Sequence, residues 1–257
     1  MLACRTLSKM LVVLVFAVLV STPVYAQQKE NRDQGRGESF AFPTLRELAL
    51  STLMLGAYDT NDNKTVDEYA KLMYCSLYLE KYKSDFEWNS VRQELTRKLQ
   101  GKHEYFRTHY EITGTIYLGR YSFETQDFPF ERKTALVNVG SLTLFSSQTF
   151  NPGLPCHPTN AQTSFLPNNY LFVLQQPLTL DRLKMPMDEA EALLKRLDLM
   201  NNKDRALYIR FRVRLLGAGN LQSMGPYTSV MMRGDLVGVD LFYDRELTKH
   251  FAVISLK

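Results

Sequence analysis

Hydrophobic residues between positions 44 and 101 recur every three or four residues, the spacing that places them on one side of a helix. Residues 44–47 and 84–87 both have the form of a capping box, in which a hydroxyl and a later glutamate satisfy amides at a helix start. Because glycine is favoured just after a helix, we expect the first helix to end at Gly56 and the last at Gly101. The apolar stripe of the last helix consists of Trp88, Val91, Leu95 and Leu99.

The stretch DTNDNKTVDEYA, residues 59–70, resembles the calcium loop of an EF-hand but lacks two of its requirements. Lys64 stands where the loop needs a glycine, and Ala70 stands where a bidentate glutamate would bind the ion. Residues 65–68 form a third capping box, so we interpret the stretch as a loop that leads into a helix starting near Thr65. No metal site is predicted. The helix would carry on one side Tyr69, Leu72, Met73, Ser76 and Leu79, with Cys75 close to that side.

Beyond residue 103 the hydrophobic period changes to two, which is typical of strands. One helix interrupts them, beginning at Asp188 after Pro186, and residues 245–250 form a hairpin connection. The inward positions of that helix are Ala190, Leu193, Leu194 and Leu197. The strand segments are 110–130, 134–147, 169–176, 206–216, 235–244 and 251–257. The predicted fold is α+β, with N-terminal helices (44–101) packed on a mostly antiparallel β-sheet (104–257) with one inserted helix.

The N-terminus has the order of features found in a secretory signal peptide. Arg5 and Lys9 precede an unbroken apolar run of 11 residues, Met10 to Val20, and VYA at 24–26 offers a cleavage site after Ala26. The apolar run is shorter than the roughly 20 residues that cross a bilayer. We therefore expect a signal peptide at 1–26, a disordered tether at 27–39 and a single α+β domain at 40–257, with no transmembrane segment after cleavage.

Removal of the leader lowers the formal net charge from +4 to +2, because Arg5 and Lys9 are lost with no acidic residue. A nearly neutral chain has no basic footprint for nucleic acid. The composition, 45% hydrophobic with 15 Phe and 14 Tyr, is sufficient for a cored domain. Nucleic acid is therefore not predicted as a partner.

Cys75 and Cys156 remain after the leader and its Cys4 are removed. In an oxidising compartment an even number of cysteines favours a disulfide, here one that would close a loop of about 80 residues. Two alternatives stay open. The cysteines could be free buried thiols, or Cys156 beside His157 could act as a nucleophile or metal ligand.

The segment LYIRFRVRL, residues 207–215, places three arginines on one face of a strand and apolar residues on the other. Arg210, Arg212 and Arg214 would lie about 7 Å apart, a spacing at which guanidinium groups could bind phosphate, a sulfated glycan or an acidic peptide. The alternative is a solvated face on which the arginines pair with acids such as Asp240 or Glu246 on neighbouring strands.

Motifs for common enzyme classes are missing from the sequence, including the G-x-S-x-G elbow, H-E-x-x-H and the phosphate-binding glycine loops. His103 and His109 are too far apart on a strand to share a metal ion. No catalytic residue, metal or cofactor is predicted from these patterns. A pair of carboxylates of the glycosidase type stays open, because spatial pairing is not visible in sequence.

Six segments in order resemble an uncharacterised family of exported bacterial proteins, known as a domain of unknown function. They are DEYAKLMYCSLY, SDFEW, LGRYSFETQDFPF, LPCHP, MPMDEAEALLKRL and RALYIRFRVRL. The resemblance implies a bacterial and periplasmic or secreted protein, and it assigns no activity to any residue.

These observations lead us to expect a non-enzymatic binding or accessory module of the cell envelope, with an envelope protein as its partner. The alternative is a hydrolase that acts on envelope material through scattered residues, with carboxylates or Cys156 as candidates.

Overall fold

The computed structural model describes residues 39–101, 106–146, 156, 166–224 and 227–254. The signal peptide and, apart from Ser39, the tether lie outside these residues. The same is true of His103, His157 and the last three residues of the final predicted strand.

Four helices make up the N-terminal part, and the first has the predicted cap and end. The Thr44 hydroxyl accepts a hydrogen bond from the backbone N–H of Glu47 and donates one of 2.8 Å to its carboxylate. Gly56 follows the helix with a φ of +86°, a conformation that glycine adopts without strain. The helices are α1 (Leu45–Met54), α2 (Asn63–Met73), α3 (Cys75–Lys81) and α4 (Asp85–Gly101).

The middle helical segment differs from its prediction in two ways. Helix α2 begins at Asn63 rather than near Thr65, because the carboxylate of Asp62 caps it by accepting from the N–H of Lys64 at 3.2 Å. The predicted single helix is also divided at Tyr74, whose backbone (φ −132°, ψ 45°) separates α2 from α3. At this break the Tyr74 ring packs edge-on against Tyr69, with ring centroids 5.8 Å apart.

The strands form a mixed six-stranded sheet of order β1-β6-β7-β4-β3, with β8 also paired to β7. The prediction of a mostly antiparallel sheet is only partly right, because β4 and β7 are parallel. A separate two-stranded sheet contains β2 and β5. The strands are β1 (His109–Tyr117), β2 (Asp127–Pro129), β3 (Leu136–Ser146), β4 (Asn169–Leu180), β5 (Arg182–Lys184), β6 (Ala206–Met224), β7 (Tyr227–Phe242) and β8 (His250–Ile254).

The inserted helix α5 (Met187–Leu199) begins one residue before the predicted Asp188. Its inward positions Ala190, Leu193 and Leu197 are buried, and Leu194 packs partly buried against the same core. The chain therefore has the α+β organisation expected from its two hydrophobic periods.

The hydrophobic core lies on one face of the large sheet, where α1 contacts two different strands. The Ser51 hydroxyl lies 3.0 Å from the Tyr110 hydroxyl of β1, and the Thr52 hydroxyl donates to the Met232 sulfur of β7. Strand β6 contributes five buried alternate residues to this face, Leu207, Ile209, Phe211, Val213 and Leu215. Within the described part of the chain, no helix combines the length and apolar character needed to cross a membrane.

Candidate functional site

The parallel pair β4–β7 opens part of the way along its length. The two strands pair from Asn169 opposite Ser229 to Val173 opposite Arg233, and beyond this point β4 pairs only with β3. Strand β7 regains a partner on the same edge at Val239, where β8 joins it. Residues 234–238 of β7, apart from Val237, are thus paired with β6 on one edge, and the stretch has no described strand on the other.

One β-bulge adjoins the start of this open stretch, and a second lies within it near its end. The register between β6 and β7 skips Leu216 at one end and Val237 at the other, and both side chains are exposed. A bulge bends a strand and increases its twist, and bulges are common beside functional sites. The two bulges therefore provide a physical reason for the separation of β7 from β4.

Gly234 lies at the start of the open stretch and in close contact with β6. A Cβ at this position would overlap the backbone carbonyl oxygen of Arg214, which is fixed by the strand. Only glycine fits here, so the bend depends on this residue.

The opening encloses a cavity of about 630 Å³, which we call the β4–β7 cleft. This volume falls in the range typical of ligand-binding sites, roughly 300–1,000 Å³. Its apolar lining comes from both strands and β8, namely Leu174, Leu178, Leu180, Leu236 and Ile254. Its polar lining includes Gln175, Gln176, Thr179 and Asp235.

Asp235 links the cleft to the arginine face of β6. Its carboxylate accepts a hydrogen bond of 3.3 Å from the Gln175 side chain and forms an ion pair with Arg214. The polar end of the cleft is thereby held by three side chains from β4, β6 and β7.

The three arginines singled out from the sequence lie together on the outer face of β6, each beside a carboxylate. Both Nε and Nη2 of Arg210 donate to Asp240, at 3.2 and 3.1 Å, and its Nη1 lies 3.3 Å from Glu111. Arg212 donates to the other oxygen of Asp240 at 3.2 Å. Asp240, opposite Arg210 on β7, is only 4% exposed, so its charge is compensated mainly by these two cations.

This pairing leaves the arginine face nearly balanced in charge. Anion binding by Arg210, Arg212 and Arg214 stays a prediction, in which an anion would compete with carboxylates already in place. Glu246, the other acid considered from the sequence, forms none of the ion pairs found among the described residues.

Cys75, at the start of α3, forms a disulfide with Cys156, and their Cα atoms are 5.8 Å apart. A sulfur in a disulfide cannot act as a thiolate nucleophile or metal ligand. The disulfide links the helical part to the segment between β3 and β4, and it leaves Cys156 without the catalytic role considered as an alternative.

The acids of the EF-hand-like stretch have structural partners. Asp59 accepts from the backbone and side-chain amides of Asn61, and Asp62 caps α2. Asp67 binds Trp88 and Arg92. Among the described residues, no group of three or more His, Cys, Asp or Glu side chains is placed to hold a metal ion.

The geometry defines an α+β protein whose mixed sheet opens between two parallel strands. The chain belongs to the family described as Domain of unknown function (DUF4852), which matches residues 61–196. No curated protein and no solved structure matches the chain. The family segment includes the β4 side of the cleft, whereas β7 and β8 follow it in sequence.

The cleft was not predicted from the sequence, although the sequence contains one feature that indicates a bend in β7. Gly234 and Gly238 interrupt a hydrophobic strand, which is a recognised sign of bulges or of close backbone approach. The parallel pairing of β4 with β7 has no comparable local signal, because it joins residues about 60 positions apart.

Proposed function

We propose that the protein is an exported, non-enzymatic binding module that takes an extended segment of an envelope protein partner into the β4–β7 cleft. The observation that carries this proposal is the open edge of β7 over residues 234–238.

The backbone of this stretch favours an extended ligand. Five residues of strand span about 17 Å, and their outward N–H and C=O groups need partners. An added strand supplies such partners through main-chain hydrogen bonds, as in recognition by β-augmentation. The bend at the two bulges provides the space, because β4 no longer occupies that edge.

The side chains around the open edge suit a segment with alternating residues. Leu178, Leu236 and Ile254 are half-buried in the cleft wall and could pack against every second side chain of an added strand. Gln176 and Thr179 are exposed at the cleft and would contact the polar side chains that alternate with the apolar ones on the added strand. We therefore expect the bound segment to alternate apolar and polar residues.

Two features support an exported protein, periplasmic or secreted. The N-terminal sequence has the basic, apolar and cleavage regions of a signal peptide. The Cys75–Cys156 disulfide is of the kind that persists in oxidising compartments and is rare in the cytosol.

The experiment places a photo-crosslinking amino acid at Gln176, which lines the cleft, and in a control at Leu199, which is exposed at the end of α5. Illumination in the native envelope should yield one defined adduct from position 176 and not from 199. Mass spectrometry then identifies the crosslinked partner segment. The same adducts from both positions would overturn the proposal.

A synthetic peptide of the identified segment completes the test. It should bind the wild type and a Leu199→Ala control, and a Thr179→Trp variant should lose binding because the larger side chain fills the cleft. Those amides of residues 234–238 that point away from β6 should exchange rapidly in the free protein and slowly in the complex. Slow exchange in the free protein, or binding without slower exchange, would count against strand addition.

A further inference from the structure

A second concave site of about 460 Å³ lies between α2, α3 and α4, away from the β4–β7 cleft. We call it the aromatic pocket. It shares no lining residue with the cleft, so whatever it binds is independent of the proposed function.

Three aromatic rings from two neighbouring helical segments form one wall of the aromatic pocket. Tyr78 and Tyr82 stack with centroids 4.8 Å apart and an interplanar angle of 6°. Trp88 meets Tyr78 edge-on at 5.2 Å. Tyr82 stays 41% exposed, so part of its surface is open to a ligand.

Asp67 of α2 holds the polar side of the pocket in a fixed arrangement. Its Oδ1 accepts from the indole N–H of Trp88 at 3.1 Å and from Arg92 Nε at 2.9 Å. Its Oδ2 accepts from Arg92 Nη2 at 2.8 Å. This two-point pairing fixes both the guanidinium and the indole before any ligand arrives, which lowers the ordering cost of binding.

Two further side chains at the pocket have unused hydrogen-bonding capacity. Asp85 and Asn89 are exposed, one turn apart on α4, and make no side-chain hydrogen bond or ion pair within the part of the chain that the structure describes. Together they offer carboxylate and amide oxygens as acceptors and an amide group as donor.

We propose that the aromatic pocket binds a neutral saccharide. A sugar ring has an apolar C–H face that could pack on Tyr82, and hydroxyl groups that both donate and accept could bind Asp85 and Asn89. An organic cation would fit less well. The Trp88 and Tyr78 rings already have cations beside them, Arg92 at 5.7 Å and Lys71 at 5.4 Å from the ring centres, and Arg92 compensates the charge of Asp67. Among the described lining residues, the unpaired carboxylate of Asp85 is the one feature that would favour a cation, so a cation is included in the test as the rival ligand.

The test uses Trp88 as a reporter, because it is the only tryptophan in the chain. The probes are maltotriose, cellotriose and triacetylchitotriose, each titrated into the full protein while the tryptophan emission is recorded. At least one should give a saturable change. Tyr82→Ala and Asn89→Ala should each weaken that binding about tenfold or more, whereas Phe123→Ala, an exposed aromatic residue outside the pocket, should leave it unchanged.

The outcomes separate the proposal from its rivals, with circular dichroism used to verify that each variant is folded. No saturable response to any of the three sugars up to tens of millimolar overturns the proposal. A response to tetramethylammonium in place of the sugars also overturns it and assigns the pocket to cations. An equal loss of sugar binding in Phe123→Ala and Tyr82→Ala would show that the pocket is not the binding site.

Discussion

Gly234 of β7 passes so close to the backbone carbonyl of Arg214 on β6 that a Cβ at Gly234 would overlap the carbonyl oxygen. This contact lies where β7 separates from β4, so the cleft and the glycine requirement have the same structural origin.

Replacement of Gly234 by alanine should lower the free energy of unfolding by about 1–3 kcal/mol, the range for overpacking against atoms that cannot move away. Gly140→Ala provides the control, because no heavy atom lies within 4 Å of a Cβ placed there. The control should stay within about 0.5 kcal/mol of the wild type. Urea unfolding of the wild type and the two variants measures both stability losses. Equal stabilities of Gly234→Ala and Gly140→Ala would contradict the prediction.

Asp240→Asn should be destabilising, because it removes the negative charge that Arg210 and Arg212 share. Breaking a buried ion pair costs about 3–5 kcal/mol, but these arginines are 24% and 32% exposed and retain some hydration. We therefore expect a loss of about 1–3 kcal/mol.

Asp235→Asn is the matched control for Asp240→Asn. Its ion pair with Arg214 is more exposed on both sides, and exposed pairs contribute about 0–1 kcal/mol. Denaturant unfolding at neutral pH compares the two variants, and the prediction is wrong if Asp235→Asn is the more destabilised.

Local features of the fold were largely predictable from the sequence. Helix α1 begins where the Thr44 hydroxyl accepts a hydrogen bond from the backbone N–H of Glu47. It is followed by Gly56, whose positive φ is readily adopted by glycine. The alternation in 207–215 likewise fixes which side chains of β6 are buried. In each case the cause lies within a few residues of the effect.

Of the features that were missed, the start of α2 had a local signal in Asp62, whereas the helix break and the cleft involve contacts between residues far apart in sequence. Tyr74 interrupts the middle helix where its ring packs on Tyr69 and a lysine from α4 lies 4.9 Å from its centroid. The β4–β7 cleft needs a parallel pair between strands far apart in sequence, and hydrophobic alternation does not encode strand partners or direction.

Tyr110 and Tyr170 are both fully buried, and their hydroxyl groups differ in hydrogen bonding. The Tyr110 hydroxyl lies 3.0 Å from Ser51 Oγ and donates to the Arg107 carbonyl at 3.2 Å. The Tyr170 hydroxyl has no partner among the described residues. Tyr110→Phe should therefore cost about 0.5–1.5 kcal/mol, whereas Tyr170→Phe should be neutral or stabilising.

Thermal and urea unfolding of both variants would measure this difference. Each substitution removes one oxygen from a fully buried ring, so the losses of packing should be similar in size and the contrast reports mainly on the hydrogen bonds. Equal destabilisation by the two would mean that the Tyr170 hydroxyl has a partner in solution.

Stability should fall at alkaline pH. Burial raises the pKa of Tyr170 well above its ordinary value, and burial together with the nearby charge of Glu68 raises the pKa of Tyr58. Because the folded state binds these protons more tightly, their contribution is fully present below the unfolded pKa of about 10 and is lost as pH rises towards the folded values. Unfolding free energies at pH 9 and pH 11 measure the loss. The decline should be smaller in Tyr170→Phe, and an unchanged decline would argue against this residue as a source.

Removal of the disulfide should destabilise the protein whichever cysteine is replaced. Cys75 and Cys156 are 81 residues apart, and for a loop of this size the chain-entropy relation gives roughly 4 kcal/mol. Cys75→Ser, Cys156→Ser and the double variant should therefore lose similar free energies of unfolding. A reductant should lower the stability of the wild type to that of the cysteine variants. It should leave the stability of the double variant unchanged. A single variant much less stable than the double variant would indicate that the remaining free thiol itself destabilises the folded state. An unchanged stability of the wild type under reductant would show that the disulfide does not contribute to the free energy of unfolding.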